Sequence, residues 1–194
     1  VDYEHGLNAI DFYALGGKRS YSNNYQVDFN VEAFRRFTVS ATFRYTDAKV
    51  ELEGRGLVER PMTSRYKGVL NLQYATNLNK WIFDFTASVN GKSRVYEFMK
   101  GLRGDDGELL YKDGYTPVYP LLYLQVTKRF KGVDLYLGAE NLTNFRQKNV
   151  VIGTAIEGMS GHVDASRPDF DASAVWGPIM GTKFYLGARF TLWK

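Results

Sequence analysis

The chain contains no cysteine. That excludes a disulfide scaffold, a thiolate metal site and a cysteine nucleophile. Histidine is almost as scarce: His5 and His162 stand far apart, which leaves no His-rich spacing for a metal. No run of about 18 apolar residues occurs, so a transmembrane helix is excluded. No initiator Met and no basic segment leading into an apolar run precede the first strand-like pattern. We therefore expect a piece of a longer chain. No Walker sequence and no G-x-S-x-G elbow is present, and no pair of carboxylates stands out for acid–base work. The expectation is a protein that is not an enzyme and carries no cofactor.

Charge is mildly basic, with 25 Lys and Arg against 21 Asp and Glu, spread along the chain. No cationic stripe marks a nucleic-acid surface. A dispersed excess fits solvated loops and a polar interior, with contact to lipopolysaccharide phosphate or another anionic ligand as the sharper reading. What the chain has in abundance is aromatic residues, 15% of it, with 14 Tyr and 13 Phe.

These aromatics sit inside a period-two alternation. From Tyr21 to Phe34, Tyr21, Tyr25, Val27, Phe29, Val31 and Ala33 alternate with Ser22, Asn24, Gln26, Asp28, Asn30 and Glu32, broken only by Asn23. Successive side chains of a strand point to opposite faces, so one face is apolar and the other polar. The same rule gives strands at Phe37–Leu52, Tyr66–Tyr74, Trp81–Asn90, Leu122–Phe130, Val133–Glu140 and Phe184–Leu192, with a weaker one near Leu7–Leu15. After Tyr45 the apolar phase shifts to Ala48, Val50 and Leu52. A bulge, or exit of the strand from the apolar layer, would produce that shift.

The connections alternate as well. Tight turns are expected at Phe34–Phe37, Thr76–Lys80 and Phe130–Val133, and long loops at Glu53–Met62, Arg94–Val118 and Thr143–Thr182. Gly16–Arg19 is a short exception among the long set. Short turns at one end and long loops at the other are the habit of outer-membrane barrels. Phe34, Phe37, Trp81, Phe130 and Trp193 fall at the short-turn end, and Tyr21, Tyr45, Tyr66, Tyr119 and Phe184 at the other. Two aromatic belts a strand length apart match two membrane interfaces. The fold expected is all-β: an antiparallel up-and-down transmembrane β-barrel of about eight strands. Two alternatives share the alternation. One is a complete eight-stranded barrel acting as an anchor or adhesin. The other is a soluble barrel whose apolar face, with Phe29, Phe43, Phe83 and Leu137, points inward onto a ligand.

The stretch Gly138-Ala139-Glu140-Asn141-Leu142-Thr143-Asn144 resembles the G-x-E-N-L-x-N segment near the end of TonB-dependent receptors. Phe184 to Trp193 resembles their last strand. Val175-Trp176-Gly177-Pro178-Ile179-Met180-Gly181, Glu59-Arg60-Pro61 and Arg65-Tyr66-Lys67-Gly68 resemble one branch of the family. The resemblance covers nearly the whole chain and implies the C-terminal part of a barrel of about 22 strands, with its plug absent here. It further implies a Gram-negative outer-membrane location and uptake of a scarce nutrient of the siderophore, cobalamin or glycan class. The implied partners are the lipid bilayer and lipopolysaccharide, TonB through a missing N-terminal part, and the barrel-insertion machinery through the last strand, where Trp193 supplies the terminal aromatic. Lys100, Arg103, Tyr111, Tyr115, His162 and Arg167, in the long loops, are the candidate ligand contacts. Gly101, Gly104 and Gly107, interleaved with Asp105, Asp106 and Glu108, lack the regular ligand spacing of a calcium loop and are read as an acidic turn.

Overall fold

A computed structural model describes residues 19–52, 54–103, 106–148, 151–152, 169–170 and 175–192. Among the described residues ten strands follow one another: β1 (Tyr21–Phe34), β2 (Phe37–Leu52), β3 (Gly56–Glu59), β4 (Tyr66–Ala75), β5 (Trp81–Asn90), β6 (Tyr119–Phe130), β7 (Val133–Glu140), β8 (Val151–Ile152), β9 (Asp169–Phe170) and β10 (Lys183–Phe190). Eight form one antiparallel up-and-down sheet in the order β1-β2-β4-β5-β6-β7-β10, with β3 folded back on β2; β8 and β9 form a separate pair. Short 3-10 turns at Asn77–Asn79 and Glu97–Gly101 are the helical content of the described residues. Among the described residues no helix is long and apolar enough to cross a membrane.

The registers join the alternating strands into continuous rows. Phe29, Ala41, Leu70, Ala87 and Leu122 are successive cross-strand partners. So are Val31, Val39, Leu72, Phe85, Leu124, Ala139 and Phe184. Partners directly opposite share a face, so a slip of one residue anywhere would mix the two sets. The intervening rows are mainly polar and hydrogen-bonded across strands. Thr42 Oγ1 donates to Asp28 Oδ1 at 2.7 Å, Asn71 Nδ2 to Thr86 Oγ1 at 2.8 Å, and Gln73 Nε2 to Asp84 Oδ1 at 2.7 Å.

Among the described residues no second layer covers the apolar rows. Phe29 is 55% exposed and Leu186 80%, while Phe85 is half-buried between its strand neighbours. The buried hydrophobic cluster lies elsewhere, at the long-link end. There Val95, Met99 and Tyr111 pack with Met62, Tyr96, Leu102, Leu110 and Trp176.

Several expectations are refined. The eighth strand of the sheet is β3, inside the segment read as the loop Glu53–Met62. The strand expected at Leu7–Leu15 lies outside the described residues, as does most of the Gly16–Arg19 link. The phase shift after Tyr45 is not a bulge; it falls where β2 changes its neighbour. The β1–β2 register runs unbroken through it, while β2 parts from β4 at Tyr45–Tyr66 and takes up β3 from Lys49. The one irregularity of that hairpin is at its short turn, where Ala33 is the extra residue between Glu32–Thr38 and Phe34–Phe37. β6 begins at Tyr119 instead of Leu122. Tyr119 pairs with Asn90, which pairs with Lys67, so it belongs to the polar rows and not to an aromatic belt. Among the described residues the sheet is open: β1 borders only β2, and β10 only β7. Closure needs a strand edge that these residues do not supply.

Two glycines set the spacing of the last hairpin. Gly138 faces Tyr185 and Gly187 faces Tyr136 in register. A Cβ on Gly138 would sit 2.2 Å from Tyr185 Cζ, and one on Gly187 2.3 Å from Tyr136 Cζ. Each tyrosine ring therefore lies over its partner's bare backbone. The two rings meet edge to face at 6.3 Å, and Tyr185 Oη donates to Gln125 Oε1 at 2.9 Å.

Candidate functional site: the long-link cap

At the long-link end the described residues of 60–65, 91–103, 106–118, 141–148 and 175–182 gather at one end of the sheet. Two motifs singled out by resemblance hold them together. Asn141 has φ 52°, a left-handed conformation that asparagine tolerates better than most residues. Its Nδ2 donates to Phe145 O at 2.7 Å and to Met180 O at 3.0 Å. Its Oδ1 accepts from Phe145 N at 3.1 Å and from Thr143 Oγ1 at 2.9 Å. Thr182 Oγ1 donates to Asn141 O at 2.8 Å. Gln147 Oε1 accepts from the backbone N–H of Trp176 at 2.8 Å and of Gly177 at 3.1 Å. The Asn-Leu-Thr-Asn and Trp-Gly-Pro-Ile-Met-Gly stretches thus clasp each other.

Above the clasp, aromatic rings stack. Tyr119 lies parallel to Phe145 at 4.7 Å, and Trp176 is tilted against both, at 5.5 and 6.0 Å. Trp176 Nε1–H donates to Tyr111 Oη at 2.8 Å. Burial pushes the Tyr111 hydroxyl's pKa up, against the lowering effect of hydrogen bonds with Trp176 and Gln147.

Charge is knitted around this core. Glu97 Oε1 meets Arg94 at 2.7 Å, Lys100 at 2.9 Å and Arg55 at 3.1 Å. Burial raises the Glu97 pKa, but the hydrogen bonds from Lys100 and Arg94 outweigh it and hold the carboxyl below its ordinary value. Tyr115 Oη donates to Glu59 Oε2 at 2.7 Å, and Arg65 pairs with the same carboxylate. The Glu59 bond is the main reason that both the Tyr115 and Arg65 values are raised. Lys92 and Asp113 pair at 2.8 Å.

The candidate contacts therefore occupy different places. Lys100 is an exposed arm of the Glu97 cluster. Arg103 bends into its own loop and donates to Gly107 O at 2.7 Å. Tyr111, 4% exposed, is part of the cap core and lines a small cavity. Tyr115 joins the Glu59–Arg65 pair. His162 and Arg167 lie outside the described residues. In the acidic segment, Asp106 accepts from the Glu108 N–H at 3.0 Å, as an acidic turn should; Gly104 and Asp105 lie outside the described residues. No group of three His, Asp or Glu side chains is placed for a metal among the described residues.

Two cavities open beside the clasp, and sequence reasoning missed both. One of about 410 Å³ is bounded by Tyr123, Glu140, Asn141, Ile179, Met180 and Lys183 among others. A second, of about 170 Å³, has Tyr111, Phe145 and Trp176 in its walls together with Arg146 and Lys148. Apolar walls with a few charged groups are the usual makings of a small-ligand site. The signal was present in the Trp-Gly-Pro-Ile-Met-Gly segment, which has exposed Ile179 and Met180 beside a charged strand start.

The short-turn aromatics form the second notable region. Phe34 stacks on Phe37 with centroids 4.5 Å apart, and Trp81 on Phe83 at 6.4 Å. Phe34, Trp81 and Phe130 are exposed, and Phe37 is half-buried. Trp193 lies outside the described residues. Comparison with known proteins adds no identity: no protein-family model and no curated protein sequence matches the chain.

Proposed function

We propose that the chain is the C-terminal portion of the barrel of a TonB-dependent outer-membrane receptor that takes up a scarce nutrient of the siderophore, cobalamin or glycan class. The supporting observation is the sheet itself: seven long strands carry register-matched apolar rows that no layer covers among the described residues. In water such a face would be a severe liability. Against acyl chains it is the expected surface of a spanning sheet, provided that every backbone group is paired. The two edges left open among the described residues agree with a segment taken from a larger barrel, because an isolated edge invites aggregation.

In this reading the polar rows line a hydrated interior, and the apolar rows meet lipid. The cap at the long-link end faces the medium, near lipopolysaccharide, and contributes to nutrient capture. TonB acts through the missing N-terminal part, and the last strand is read by the insertion machinery. Transport, not catalysis, is the activity. Sequencing the parent gene upstream of Val1 tests the proposal. A plug domain and further barrel strands are expected there, and an upstream region with neither overturns the receptor reading.

A further inference from the structure

The short-turn end holds a chemistry that nutrient capture leaves unused. Across β4, β5, β6, β7 and β10, the apolar face carries one charged side chain among the described residues, Lys128, partner of Trp81 and Leu135. Its Nζ lies 4.1 Å from the Trp81 ring centroid and 5.7 Å from that of Phe130. The stem of a lysine covers apolar surface while its head seeks a polar layer, so this ammonium marks the border of the apolar zone.

The turns on either side add to it. Arg129 N donates to Lys80 O at 2.8 Å, which brings the turn before β5 alongside the end of β6. Lys80 and Lys131 are both exposed there. The carboxylates of this end have other work and stand in the polar rows: Asp134 pairs with Arg129 at 3.3 Å, and Glu32 accepts the Arg36 N–H at 2.7 Å. Lys128 and two aromatic rings thus border one strip of the apolar face, with Lys80 and Lys131 in the turns that adjoin Trp81 and Phe130.

We propose that Trp81, Lys128 and Phe130, with Lys80 and Lys131, form a binding site for an anionic phospholipid headgroup in the leaflet next to the short turns. The site rests on the membrane reading above. The acyl chains follow the apolar rows beside β5 and β6, the rings sit at glycerol depth, and the lysines meet the phosphate. The excess of positive charge selects a headgroup of net negative charge over a zwitterionic one.

Quenching of Trp81 by brominated lipids tests this. The full-length protein that carries the chain is reconstituted in phosphatidylcholine vesicles containing brominated phosphatidylglycerol or brominated phosphatidylcholine. The Trp81 signal is taken as the difference from Trp81→Phe. Half-quenching is expected at about fivefold lower content of the anionic lipid. Lys128→Gln should abolish that preference and Lys128→Arg should keep it. Equal quenching by both lipids, or a preference that survives Lys128→Gln, overturns the site. If neither lipid quenches Trp81, the membrane reading itself fails and the site falls with it.

Discussion

Replacing Gly138 by alanine should destabilise the last hairpin far more than a single methyl suggests. The new Cβ would fall 2.2 Å from Cζ and 2.3 Å from Oη of Tyr185. The ring cannot move without giving up its 2.9 Å bond to Gln125 and its edge contact with Tyr136. Overpacking of this kind costs about 1–3 kcal/mol, and a lost hydrogen bond about 1 kcal/mol more. The total is about 2–4 kcal/mol. With Tyr185→Ala already in place the clash is gone, and alanine in a strand should then stabilise by about 0.5–1 kcal/mol relative to glycine. A double-mutant cycle, read by urea unfolding of the refolded protein in detergent, should therefore show an interaction of at least about 2 kcal/mol. The pair Gly187→Ala and Tyr136→Ala should repeat the result. Effects that add within about 0.5 kcal/mol would refute the account of tyrosine rings lying on bare backbone.

Leu137→Arg, midway along β7 on the apolar face and 56% exposed, should cost about 2–4 kcal/mol in bilayers. In water an exposed substitution of this kind stays within about 0.5 kcal/mol, so unfolding measurements in vesicles distinguish the two surroundings. Asn141→Ala should remove about 2–3 kcal/mol by breaking the clasp's hydrogen bonds and speed proteolysis within residues 141–182. Asn141→Gly accommodates the left-handed backbone and so should cost less than alanine while still loosening the loop. Acid should open the cap. The folded Glu97 pKa lies below its unfolded value, so its contribution is present above the ordinary glutamate range and lost as pH falls through the folded value. Hydrogen exchange of residues 94–101 should accelerate below about pH 4 in the wild type, and Glu97→Gln should remove that dependence.

The long strands were legible because period-two alternation runs through them, with its one change of phase in β2 after Tyr45. β1, β2, β5 and β7 begin and end where the pattern places them, and the turn at Arg35–Arg36 follows from the apolar residues on either side. Legibility fails where the alternation loses its meaning. β3 is a four-residue strand held only by β2, beyond the apolar layer, so it shows no two-faced pattern. Tyr119 looked like a belt residue by position along the strand. Its parity put it in the polar rows, where Phe145 and Trp176 cover it. Tyr111 looked like an exposed loop residue because nothing local announces that Trp176, distant in sequence, will close over it. The clasp was visible as two family-like motifs, but their mutual hydrogen bonds are long-range facts. The pairing of Gly138 with Tyr185 depends on register, which only the folded hairpin fixes.

The central claim is that the apolar rows face acyl chains and the polar rows face water. Spin labels at Phe43, Phe83 and Leu137, and at Asn71, Asp84 and Gln125, in the full-length protein reconstituted in bilayers, test it by collision with oxygen and with a water-soluble nickel chelate. The account predicts oxygen-dominated relaxation at the first three sites and nickel-dominated relaxation at the others. Nickel access at Phe43, Phe83 and Leu137, or exclusion of both reagents from them, would contradict it.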